Sequence, residues 1–253
     1  GWLVALLGVG APLAFLIAAG GSGLGLWGWQ AGMDAVPWIV LAALLALVLA
    51  VVFVLLNRRK GRETRWPLLG LGTLATLGFL AYLAPYGVAY VTLPAIHDIT
   101  TDLADPPPFV VLSLRADNWD NIPGANDDDK RGMNPRQRWA TVHQDAYPDI
   151  RSVRIDQPVA AVTGKAQRLA EDRDWDIASV NPDEGRLEAT DTVSLFGMKN
   201  DIVIRARAAE NGAASIIDMR SVSRDGVHDL GINAKRVRDF LSDLSGTTTT
   251  ASQ

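Results

Sequence analysis

Over residues 1–93 every lysine and arginine falls within one run, Asn57-Arg58-Arg59-Lys60-Gly61-Arg62-Glu63-Thr64-Arg65, and long uncharged stretches lie on both sides of it. Stretches of this length and apolarity match the thickness of a bilayer core, about 30 Å, so the pattern predicts a membrane protein with spans near residues 2–20, 36–56 and 66–90. Trp2–Ala19 is the shortest, close to the lower limit of about 17 residues, and Pro12 predicts a kink that neighbouring helices would accommodate. The alternative for that stretch alone is a buried core helix. Val36–Leu56 is the clearest span, with Trp38 near one end and the basic run at the other. Trp66-Pro67 opens the third.

Positive charge is retained on the cytoplasmic side of a membrane. The basic run is therefore expected inside, together with the N-terminus, and the third span delivers residue 94 onward to the other side, periplasmic in a bacterial inner membrane. The sequence opens at Gly1 without an initiator methionine, so allowance is made for residues ahead of it, and a cleaved leader would leave no trace in the mature chain.

The glycine-rich stretch Gly20–Gly32 reads as a short loop with Trp27 and Trp29 at headgroup level. Within it Gly23-Leu24-Gly25-Leu26-Trp27-Gly28 matches G-x-G-x-x-G, yet it follows an apolar span instead of a strand and lacks an acidic residue about 20 positions on, which argues against dinucleotide binding. The Gly21/Gly25 and Gly28/Gly32 spacings also suit close helix packing. Tyr82, Tyr86 and Tyr90, four apart, line one helix face, read as an interfacial aromatic belt in preference to a partner-binding stripe.

Residues 1–93 carry five basic and two acidic groups, a net of +3, which leaves −7 for the remainder of a chain whose total is −4. An acidic polar domain excludes nucleic acid as the partner. The absence of cysteine excludes disulfides, thiolate metal sites and thiol nucleophiles.

The polar part, residues 94–246, starts with a segment whose Pro106-Pro107-Pro108 predicts an extended strap or linker. Residues 115–138 read as a long surface insertion, in which Asn126-Asp127-Asp128-Asp129 lacks calcium-loop spacing. Regular patterning comes next: a strand over Ser152–Asp156, a helix from Pro158 to about Asp172, then strands over Trp175–Val180, Arg186–Leu195, Asp201–Ala208 and Ala213–Ser223. Asn181–Gly185, Phe196-Gly197 and Glu210-Asn211-Gly212 are the predicted turns. A last helix over Asn233–Leu244 is expected to be capped by Asn233 and stopped near Gly246; the tail 247–253 is expected to be disordered unless held. The fold class is thus α+β: three transmembrane helices, then an antiparallel sheet backed by helices.

Alternation places Leu187, Ala189, Val193, Ile202, Ile204, Ala206, Ile217 and Met219 on the helix-covered face. The opposite face presents Arg186, Glu188, Arg205, Arg207, Asp218 and Arg220, expected to be open and able to bind an anionic headgroup or acidic partner surface. Cross-strand ion pairs in solvent are the plainer account.

Several motifs in order carry a resemblance: Ile96-His97-Asp98-Ile99-Thr100-Thr101-Asp102, Tyr147-Pro148-Asp149-Ile150, Gly185–Thr190, Asp218-Met219-Arg220-Ser221-Val222-Ser223-Arg224 and Asp229-Leu230-Gly231-Ile232-Asn233-Ala234. Over about residues 94–245 the chain resembles the family called domain of unknown function 1499. The resemblance implies a domain set behind membrane spans and supplies no activity.

Of the three histidines, His97 and His228 each precede an aspartate, Asp98 and Asp229, and with Ser221 or Ser223 a hydrolytic arrangement can be drawn. Neighbours in extended chain point to opposite faces, however, and neither G-x-S-x-G nor H-E-x-x-H is present. These histidines are expected to fix loops at the ends of the sheet; no metal or cofactor is expected. The preferred expectation is a non-enzymatic, membrane-anchored periplasmic module that binds a protein or envelope component, an accessory or assembly subunit of a larger membrane complex such as a respiratory or photosynthetic one. The rival is a periplasmic hydrolase or lipid-modifying enzyme using His97/Asp98 and His228/Asp229.

Overall fold

A computed structural model describes residues 2–63, 66–193, 195–209 and 212–246. Thr64 and Arg65 of the basic run, Glu210 and Asn211 of the last predicted turn, and the tail lie outside the described residues. Two compact units result: residues 1–88 with 193–198, and residues 89–192 with 199–253.

The first unit contains α1 (Trp2–Gly23), α2 (Trp29–Arg59) and most of α3 (Trp66–Thr92), all three long and apolar enough to cross a membrane. The glycine-rich stretch is mostly helical, contrary to expectation: α1 runs to Gly23 and α2 begins at Trp29, so the loop shrinks to residues 24–28 and the G-x-G-x-x-G pattern straddles a helix end. Trp27 folds back, its indole N–H donating to the Ala18 carbonyl at 3.1 Å.

Small residues set the helix spacing. Ile39, Ala43, Ala46 and Ala50 are the buried stripe of α2, recurring every three or four residues as one helix face requires. A Cβ added to Gly8 would lie 2.2 Å from the Gly72 carbonyl oxygen, and one added to Gly72 would lie 2.6 Å from that of Val4. Only glycine permits this approach of α1 to α3, which exposes backbone for the dispersion contacts that drive helix association in lipid. Phe15 packs its ring against Phe79 and Phe196 at 5.5 and 5.9 Å.

The second unit is a six-stranded antiparallel sheet with helices. Its elements are β1 (Asp98–Thr100), α4 (Pro135–Ala146), β2 (Val153–Ile155), α5 (Val159–Glu171), β3 (Asp176–Asn181), β4 (Arg186–Val193), β5 (Met198–Ala209), β6 (Ala214–Ser223) and α6 (Ile232–Ser245). The order across the sheet is β1-β6-β5-β4-β3, with β2 also on β6. Thus β1 and β2 lie end to end along one edge of β6, paired with residues 220–222 and 215–217. Leu187, Ala189, Ile202, Ile204, Ile217 and Met219 form one core with Val162, Ala166, Ala170, Val237, Phe240 and Leu244 of α5 and α6.

Two elements were not expected. β1 is only three residues long, too short for periodicity to show, and α4 starts in the last four residues of the predicted surface insertion and runs on to Ala146. Its N-terminus carries a complete capping box: the Asn134 side chain accepts the Gln137 N–H, the Gln137 side chain accepts the Asn134 N–H, and Pro135 sits at the first helical position. At the β3–β4 turn Gly185 has φ +66°, and a Cβ there would stand 2.2 Å from the Ala206 carbonyl oxygen, so no other residue fits the close crossing.

Candidate functional site

The polar sheet face is closed by the chain's own strap. Asp102 starts it, its carboxylate accepting the N–H groups of Ala104 and Asp105 at 3.1 and 2.9 Å. The prolines then run across the face with Pro106 and Pro107 buried. A proline has a carbonyl and no N–H, and the arginines beneath have only donors, so the two sets match. Arg205 donates to the Asp105 carbonyl at 2.9 Å, Arg220 to that of Pro107 at 3.3 Å, and Arg186 to that of Pro108 at 2.6 Å. Past the prolines N–H groups return, and there the face supplies an acceptor. The Glu188 carboxylate takes the N–H of Val110, Val111 and Leu112 at 2.7, 3.0 and 2.8 Å.

The remaining charges neutralise one another. Arg220 forms a fork with Asp98, at 2.9 and 2.6 Å, and both side chains are almost wholly buried. Asn118 adds a third donor to Asp98 at 2.8 Å. Asp218, fully buried, receives Arg205, Arg207 and the Ser152 hydroxyl at 3.0, 3.0 and 2.5 Å. The expectation of an open face is therefore corrected. Glu188, Asp218 and Arg220 are buried, Arg186 and Arg205 are mostly covered, and Arg207 alone of the six is about half exposed. What faces outward is the strap itself, with Val110 and Val111 exposed by 68% and 56%.

Side chains of α4 finish the outer edge of β1. Residues 97 and 101 turn their backbone bonds toward β6, through the His97 carbonyl and the Thr101 N–H. Of the residues between them, Asp98 and Thr100 turn their backbone groups the other way, and these would be orphaned. Trp139 donates its indole N–H to the Asp98 carbonyl at 2.8 Å, and His143 Nε2 accepts the Thr100 N–H at 3.2 Å. Trp139, His143 and Tyr147 recur every fourth residue and meet edge to face, each pair 5.7 Å apart. Burial holds the His143 pKa down at about 4 and pushes the Tyr147 hydroxyl up to about 12.

On the helix side of the sheet a second cluster joins α6 to β6. Asn233 is fully buried and donates to the His97 carbonyl and the Ser223 hydroxyl, at 3.1 and 2.9 Å, while accepting from Ser221 and Arg236 at 2.7 and 2.6 Å. Arg236 also forks onto Asp191 at 3.0 and 2.5 Å. Asn233 does not cap α6. Asp229 does, accepting the N–H groups of Gly231 and Asn233 at 2.9 Å each, because Gly231 at φ +78° turns the chain so that the carboxylate faces the first helical amides. Burial raises the Asp229 pKa in spite of these bonds.

The four residues of the hydrolase alternative are brought to one end of the domain without forming a catalytic couple. His228 accepts the Leu230 N–H at Nδ1, 2.9 Å, and its Nε2 lies 3.2 Å from the Leu93 carbonyl; Tyr90 stacks on the ring at 5.4 Å. Asp98 is bound to Arg220 and Asp229 to the α6 amides. His97 is buried, and burial followed by the nearby Arg115 charge lowers its pKa. Ser221 and Ser223 bond Asn233, Arg236 and Asn200. Among the described residues no three His, Asp or Glu side chains gather as metal ligands do.

A membrane-anchored α+β domain whose charged sheet face is sealed by an N-terminal strap is the class these features define. Residues 98–244, more than half of the chain, match the family described as protein of unknown function (DUF1499), and the chain belongs to that family. Comparison with curated proteins and with solved structures gives no match.

Proposed function

We propose that the chain is a non-catalytic, membrane-anchored binding module, an accessory or assembly subunit of a larger membrane complex, with respiratory and photosynthetic complexes as candidate hosts. The observation that carries this reading is the strap. A single carboxylate, Glu188, fixes three successive backbone amides, and this rigid segment presents Val110 and Val111 to solvent. A partner docking on a segment already held in place loses little conformational entropy on binding. The positive-inside argument places the basic α2–α3 loop in the cytoplasm and the strap on the far side, periplasmic in a bacterial inner membrane.

The test is purification of the tagged full chain in mild detergent, alongside Val110→Asp/Val111→Asp and His228→Ala variants. A stoichiometric partner that survives His228→Ala and is lost with the valine pair supports the reading. Recovery of the protein alone, with a hydrolytic activity abolished by His228→Ala, overturns it. Reporter fusions at Gly61 and Gly246 check orientation separately; a reporter active in the periplasm at Gly61 reverses the topology.

A further inference from the structure

The membrane unit contains an apolar groove of about 460 Å³ between Val51, Val54 and Leu55 of α2 and Trp66, Gly70 and Leu74 of α3. It is open at Gly70, where an added Cβ would meet nothing within 4 Å. Leu55 is one helical turn from Arg58, and Arg59, Lys60 and Arg62 follow. None of these four cations pairs with a carboxylate among the described residues, although eleven of the second unit's fifteen arginines do. An almost wholly apolar slot, with Thr73 the one polar residue in its lining, that opens beside four uncommitted cations has the two-part chemistry of an acidic amphiphile. Guanidinium forks match phosphate oxygens, and an indole at the lip, here Trp66, suits the headgroup level.

We propose that the groove and the Arg58–Arg62 turn form a site for one acidic glycerophospholipid, an acyl chain lying between α2 and α3 and the phosphate held by the cations. The charge selects the occupant. A transmembrane helix of a partner or of a second copy could fill the slot, but a purely apolar helix would leave the cations unmatched, whereas an acidic lipid satisfies both parts. The site is independent of the strap and of any partner that docks there.

The experiment offers equal amounts of dioleoyl phosphatidylglycerol and dioleoyl phosphatidylcholine to the full chain in neutral detergent and counts retained lipid by native mass spectrometry. One phosphatidylglycerol is expected to be retained over phosphatidylcholine by more than tenfold. In Arg58→Gln and Arg58→Gln/Arg59→Gln the preference should fall by roughly fivefold for each cation removed, with phosphatidylcholine retention unchanged. Gly70→Leu, which fills the groove where space is free, should cut retention of both lipids by at least tenfold without lowering the melting temperature. Equal retention of the two lipids would mean annular lipid only and overturns the site. So does a Gly70→Leu variant that still holds phosphatidylglycerol, or a dimer or bound helical partner in place of lipid that Gly70→Leu dissolves.

Discussion

Acidification should loosen the second unit through His143. The ring is fully buried, and its Nε2 accepts the Thr100 N–H, so the bond exists only while that nitrogen is unprotonated. Protonation turns the acceptor into a donor facing another donor, inside the fold. Burial is the main reason the folded pKa is about 4, against about 6.5 in an unfolded chain. Between these values the unfolded state binds more protons, so stability is complete above about pH 6.5 and declines as pH falls toward 4. Linkage over that interval gives a loss of about 2.5 kcal/mol by pH 4.5, approaching about 3.4 kcal/mol at lower pH. For a domain of this size that lowers the melting temperature by roughly 5 to 10 °C.

The assay is thermal or urea unfolding of the full chain in detergent, followed by tryptophan fluorescence because Trp119 and Trp139 stack edge to face at 5.1 Å beside His143. The comparison is with His143→Gln, whose amide oxygen can still accept the Thr100 N–H but cannot titrate. His97, with a lowered pKa, adds destabilisation of the same sign in acid; Asp229, with a raised one, opposes it. Both are present in either protein, so the difference between the two pH profiles isolates His143. Profiles of equal slope between pH 4.5 and 7 would refute the reasoning.

Glu188→Gln should leave the fold intact and free the strap: the three amides lose a charged acceptor, a loss of about 3 kcal/mol or more, and limited proteolysis should cut within residues 104–112 where the parent resists. Asp98→Asn should destabilise by about 3–5 kcal/mol in chemical unfolding, since it leaves the Arg220 guanidinium buried without its counter-charge, whereas Asp98→Leu/Arg220→Met should recover most of that loss. Gly72→Leu should force α1 and α3 apart at the Val4 carbonyl and cost about 1–3 kcal/mol, read as a lower melting temperature in detergent with the second unit's unfolding unchanged.

Much of this architecture is written in local pattern. Uncharged length marks the three membrane helices, and period-two alternation marks β3 to β6 and assigns every expected residue but Val193 correctly to the core face. The side on which the sheet meets solvent is not local information. Arg186 finds its acceptor on Pro108, 78 residues away in sequence, and Arg220 finds Asp98 at a separation of 122. No period along β4 or β6 reports such a pairing. α4 was legible in principle, through Asn134-Pro135-Arg136-Gln137 at its start and the Trp139, His143, Tyr147 spacing. Its polar composition and a preceding run rich in charge, Asn and Gly masked the helix, because apolar periodicity is a weak signal where only one narrow face is buried.

The motif residues by which the chain is placed in its family gain a common physical role. Asp98, Glu188, Asp218, Arg220, Asp229 and Asn233 are charged or polar, and all are buried. Burying so many such groups would be destabilising if any stood alone. Each is instead met by a partner: the strap for Glu188 and Arg220, Arg220 for Asp98, the His97 carbonyl just before β1 for Asn233, Arg205, Arg207 and Ser152 for Asp218, the α6 amides for Asp229. These contacts favour one placement of the strap and of β1 on a sheet whose short edge strands have little ladder of their own. Sliding the strap until Pro106–Pro108 lay on Glu188 would leave that carboxylate without N–H donors. A donor–acceptor code of this kind specifies position more sharply than an apolar face would, and it accounts for retained charges in the interior of a domain without assigning them to catalysis.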